Sequence, residues 1–85
     1  MSSSLPSADA RAKEVAVTED ELSVLLADGR RISVPLAWFP RLLRATPAER
    51  AHFELIGDGQ GIHWPDVDED LSVAGLLRGT PSASR

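Results

Sequence analysis

Between residues 15 and 34 large apolar side chains recur in two-residue steps: Val15 and Val17, then Leu22, Val24 and Leu26, then Ile32 and Val34. Period two sends successive side chains to opposite faces of a strand, so the pattern predicts three strands sharing one apolar face. Thr18-Glu19-Asp20 interrupts the first run and Asp28-Gly29 the second. Glycine accepts the positive φ that a tight hairpin requires, and an antiparallel meander follows.

After the meander the punctuation changes to that of short helices. Pro35 ends the third strand because it cannot donate to a ladder, and Pro40 suits the first position of a helix over 41–45. Phe39, Leu42 and Leu43, three and four residues apart, form its expected inward stripe. Thr46-Pro47-Ala48-Glu49 reads as a capping box opening a second short helix at Pro47. Phe53 and Leu55, then Ile62 and Trp64, return to period two around the loop Gly57-Asp58-Gly59-Gln60-Gly61, which predicts a second hairpin stopped by Pro65. Ser72 is placed to cap a closing helix with Val73, Leu76 and Leu77 on one side, and Gly79 to end it. The fold class is α+β: a small single domain, an antiparallel meander plus a second hairpin with three short helices. The domain is expected over residues 12–79. The segments 1–11 and 80–85 have too few large apolar groups to offset ordering entropy and are expected to be flexible tails.

Eighty-five residues suit one small domain with no deep substrate cavity. No cysteine is present, which excludes a disulfide framework and a thiolate zinc site, and His52 and His63 are too few to anchor a structural metal. No cofactor is expected. The chain has neither a cationic start followed by an apolar run nor a membrane-length apolar stretch, so a cytoplasmic protein without a membrane segment is expected.

The net charge of -4 is unevenly distributed. Residues 30–50 hold five arginines against Glu49 alone, whereas 53–77 hold Glu54, Asp58, Asp66, Asp68, Glu69 and Asp70 with no Lys or Arg. A basic and an acidic region are therefore expected, able to face each other within one molecule, across a homo-oligomer, or toward another protein.

Three patterns resemble reactive sites without completing one. Asp66-Val67-Asp68-Glu69-Asp70 begins like a calcium loop, but Leu71 stands where the turn glycine belongs and Leu77 where the closing glutamate belongs. Helix-start electrostatics and loop-amide bonding explain these acids better. Gly57-x-Gly59-x-Gly61 precedes a strand rather than the helix a phosphate-cradling loop requires. His63 lies near carboxylates but has no paired serine, threonine or cysteine, and reads as a half-exposed strand residue. The chain is expected not to be an enzyme. Trp38 and Trp64, each beside a proline or one residue from it, are expected in the core or its rim, with a partner pocket as the alternative.

The runs Asp-Gly-Arg-Arg-Ile-Ser-Val-Pro-Leu-Ala-Trp-Phe-Pro-Arg-Leu-Leu from Asp28 and Gly-Ile-His-Trp-Pro-Asp-Val-Asp-Glu-Asp-Leu-Ser from Gly61 resemble a small bacterial family, domain-of-unknown-function family 2442. The likeness covers about residues 15–79. It implies a compact α+β domain with antiparallel strands and no established enzymatic activity. It also implies a setting similar to toxin-antitoxin pairs, beside a gene for a small uncharacterised protein; some members carry a helix-turn-helix domain that is not visible here. The function expected is a non-catalytic interaction module binding a small companion protein, with Trp38, Trp64, Asp66, Asp68, Glu69 and Asp70 as candidate contacts. The alternative is a nucleic-acid-binding or transcription-regulatory accessory using Arg30, Arg31, Arg41 and Arg44, which the net charge disfavours.

Overall fold

The computed structural model describes residues 10–79. The meander forms as expected: β1 (Ala12–Val17), β2 (Glu21–Leu26) and β3 (Arg31–Pro35) pair antiparallel in chain order. Leu22, Val24 and Leu26 put one face of β2 in the core, and Val34 of β3 joins them. The β2–β3 connection is a four-residue loop, with Gly29 at φ 95° and its N–H donating to the Leu26 carbonyl. Asp28 completes it, accepting the Arg30 N–H at 3.0 Å and the Arg30 Nε at 2.8 Å.

A 3-10 turn (Leu36–Trp38) leads into α1 (Pro40–Leu43), which ends two residues before the expected boundary. α2 (Pro47–Ala51) starts with the capping box complete: Thr46 Oγ1 accepts the Glu49 N–H at 3.1 Å, and Glu49 Oε1 accepts the Thr46 N–H at 2.9 Å. Phe39 and Leu42 are fully buried, but Leu43 is 43% exposed and leaves the expected inward stripe. A helix of one turn presents only a narrow face, and Leu43, next in sequence to Leu42, turns away from it.

The second hairpin, β4 (Glu54–Ile56) and β5 (Gly61–Trp64), gains a strand that the sequence reading did not include. β6 (Glu69–Ser72) pairs antiparallel with β5 through the turn Pro65–Asp68, giving a second sheet of order β4-β5-β6. Asp68 holds the left-handed corner of that turn at φ 54°, a conformation that Asp tolerates better than most residues. α3 (Val73–Arg78) closes the chain, capped by Ser72 Oγ on the Gly75 N–H at 2.9 Å and ended by Gly79 at φ 75°. Val73 and Leu76 enter the core, whereas Leu77 is 42% exposed, a correction to its expected place beside them.

One core joins the two sheets: Leu22, Val24, Leu26 and Val34 from the first, Ile62 and Trp64 from the second, with Leu36, Phe39, Leu42, Val73 and Leu76 from the helical segments. The expected tails at 1–9 and 80–85 lie outside the described residues. Ala10 packs against the core, and the Arg11 carbonyl accepts the Ala27 N–H at 2.8 Å. The β4–β5 loop passes close beneath this start of β1. A Cβ on Gly59 would lie 2.8 Å from the Ala12 carbonyl oxygen, and Gly59 has φ 90°. Gly59→Ala is therefore expected to destabilise the domain more than Gly29→Ala, which meets the same positive-φ strain in open space. Paired urea melts check the order, and equal midpoints would contradict the close approach.

Candidate interaction surface

The pleat of the second sheet sorts its side chains. Ile62 and Trp64 of β5 are fully buried, so their cross-strand partners Leu71 and Glu69 lie on the same inward face. The alternate row, Glu54 on β4, His63 on β5 and Asp70 on β6, runs across the outer face. Ile56, Gly61 and Ser72 form the next outer row, with Ile56 lying over Gly61. Asp66 and Asp68 project from the β5–β6 turn at the end of this face.

This sorting divides the candidate contacts. Asp66, Asp68 and Asp70 are exposed and neighbour one another around the turn and β6. Trp64 and Glu69 are not surface groups: Trp64 is 0% exposed and Glu69 6%, because both occupy the inward register of paired strands. Trp64 Nε1 donates to the Arg50 carbonyl at 3.0 Å and its ring leans on Phe53, so the indole is satisfied inside the core. Trp38 is half-buried, edge-on to Phe39, with its ring close to Gly79.

The acidic surface carries both histidines. His52, the residue after α2, places Nδ1 at 2.8 Å from Asp66 Oδ2, and His63 Nδ1 lies 2.5 Å from Asp70 Oδ1. The Asp66 carboxylate raises the His52 pKa, first by its hydrogen bond and then by its charge; partial desolvation opposes this, and Glu54 adds a smaller upward push. No group of three or more His, Cys, Asp or Glu among the described residues is arranged to hold a metal ion. Nor does any described helix have the length and apolarity to cross a membrane.

The four arginines of the alternative reading are each engaged within the domain. Arg30 pairs with Asp28, Arg31 Nη1 donates to Ser23 Oγ at 3.4 Å, and Arg44 Nε to the Pro40 carbonyl at 3.4 Å. Arg41 Nη1 donates to the Asp68 carbonyl at 2.5 Å, which fastens α1 to the acidic turn. Arg50, which the sequence reading did not single out, is buried. Its Nε and Nη2 donate to the carbonyls of Leu42 and Leu43 at 3.0 and 2.8 Å, satisfying the end of α1. Glu54, expected only as part of the acidic region, and His52 were not among the candidate contacts. Cross-strand pairing sets the position of Glu54 and the end of α2 that of His52, and their own period signals neither.

Two three-stranded antiparallel sheets around one core, with three short helices and an acidic outer face, define a compact α+β domain. The chain belongs to the family described as a protein of unknown function, DUF2442, whose model matches residues 12–82. It is similar to the crystal structure of a protein of unknown function from Rhodospirillum rubrum, with 28% identity over 87% of this chain and 92% of that one and a TM-score of 0.73. It also resembles in fold the solution structure of an uncharacterised protein from Chromobacterium violaceum, at 24% identity and a TM-score of 0.72 over 87% of this chain and 70% of that one. No curated protein matches the chain.

Proposed function

We propose that this domain is a non-catalytic protein-interaction module, acting in the cytoplasm as the antitoxin-like partner of a small companion protein. The observation that carries this reading is the position of Asp66, Asp68 and Asp70 with Glu54 on one outer surface, beside the exposed Ile56 of β4. Fixed carboxylates next to an exposed apolar side chain suit a partner that offers cationic groups around a small apolar contact. The resemblance to a family whose members are encoded beside a small companion supports the kind of partner.

The test is co-purification from the native cell with the tagged chain and with an Asp68→Asn/Asp70→Asn variant, which removes both charges and keeps at 68 a residue that tolerates the left-handed corner. A small companion retained by the native chain and lost by the double variant at an unchanged melting temperature is the expected outcome. Equal retention by both chains would remove the acidic face from the contact. Binding of a labelled duplex with a steep salt dependence, lost on Arg31→Ala/Arg44→Ala, would replace this reading with the nucleic-acid one.

A further inference from the structure

We infer that His52 and Asp66 form a proton-operated latch on the β5–β6 turn. His52 follows α2, whereas Asp66 sits fourteen residues later in the turn Pro65–Asp68, yet the imidazole and the carboxylate meet at 2.8 Å. Arg41 grips the same turn by donating to the Asp68 carbonyl. The turn thus has one hold from α1 and a second, titratable hold from the end of α2.

The groups around the ring define its behaviour. Asp66 faces it from the turn and Glu54 acts on it from β4, both favouring the imidazolium. On α2, the Glu49 carboxylate is committed to the Thr46 amide, and the Arg50 guanidinium is turned inward to the carbonyls of α1. His63, opposite Glu54 on the neighbouring strand, is held against Asp70. Two carboxylates therefore act on His52 while its neighbouring cation points away.

A histidine whose folded-state pKa is raised stabilises the fold fully below its unfolded value, about 6.5. That contribution is lost as pH rises through the higher folded value. Below this window the imidazolium donates a charge-assisted bond to Asp66 and cancels one negative charge of the turn. Above it the ring is neutral, the bond loses its charge assistance, and the turn presents Asp66 as a second full carboxylate beside Asp68. The acidity of the outer face is thereby set by pH within the range where histidine titrates.

Proton NMR titration of the full chain tests the latch, following the His52 Cε1–H and the amides of Asp66 and Asp68. The His52 midpoint is expected above about 6.5, the free-imidazole value, with the turn amides shifting at the same midpoint. Asp66→Asn is expected to bring the His52 midpoint down toward that value. His52→Gln is expected to abolish the titration of the turn amides while the melting temperature at pH 8 stays unchanged. Turn amides that stay flat through the His52 midpoint would overturn the latch, as would a midpoint unmoved in Asp66→Asn. A turn titration surviving in His52→Gln would also overturn it and assign the effect to His63.

Discussion

Trp64→Ala is expected to lower the melting temperature by at least ~12 °C or to abolish the cooperative transition altogether. The indole is fully buried on the inner face of the second sheet, contacts Phe53, and donates to the Arg50 carbonyl. Truncating a buried tryptophan costs ~3–5 kcal/mol through lost transfer energy and the cavity left behind. A domain of this size holds only about 4–10 kcal/mol, at ~0.05–0.15 kcal/mol per residue. Each kcal/mol moves the midpoint of so small a domain by ~4–8 °C, which sets the lower bound. Circular dichroism melts read the effect. Trp64→Phe is the informative control: it keeps most of the ring volume but leaves the Arg50 carbonyl without its donor, a loss of ~1–3 kcal/mol. A native-like melt for Trp64→Ala would mean that the side chain lies on the surface and serves a partner instead.

The second large effect separates two adjacent leucines. Leu76→Ala is expected to destabilise the isolated domain by ~2–5 kcal/mol, whereas Leu77→Ala should stay within ~0.5 kcal/mol of the native chain. Leu76 is 3% exposed among Val73 and the sheet residues, and Leu77 is 42% exposed. Paired thermal melts in the same buffer measure the difference. Equal losses would mean that the closing helix is rotated to bury both side chains, and equal indifference that it does not close the core.

What could be read from the sequence follows from where one interaction decides a position. β2 and β3 alternate with one buried face, and Thr18-Glu19-Asp20, Asp28-Gly29 and Pro35 mark the breaks of the meander, so local sequence defines these elements. The capping box at Thr46 and the Ser72 cap are legible for the same reason, since donor and acceptor lie three residues apart. β6 is different. Glu69-Asp70-Leu71-Ser72 contains one apolar residue, and its strand state depends on pairing with β5 and on Asp68 adopting a left-handed corner. Missing that strand left Glu69 as an apparent surface acid, because facing inward is a property of its register opposite Trp64. Leu43 and Leu77 erred in the opposite sense: spacings of three and four define a stripe only in a helix long enough to present several turns, and these helices have four and six residues. The acids Asp66, Asp68 and Asp70 were legible as a group, whereas their contacts with His52, His63 and Arg41 are tertiary and leave no periodic trace.

Arg50 sets a condition on the order of assembly. Its guanidinium spans the last carbonyls of α1, its backbone belongs to α2, and its own carbonyl receives the Trp64 indole from the second sheet. A chain in which only two of these three segments have come together either strands a cation away from water or keeps the arginine solvated and the core open, and both are costly. Partly assembled forms are thereby raised in free energy relative to the complete one. The residue sharpens the all-or-none character of folding in a domain whose two sheets share no strand pairing, because it ties the completion of one helical corner to the arrival of a distant hairpin.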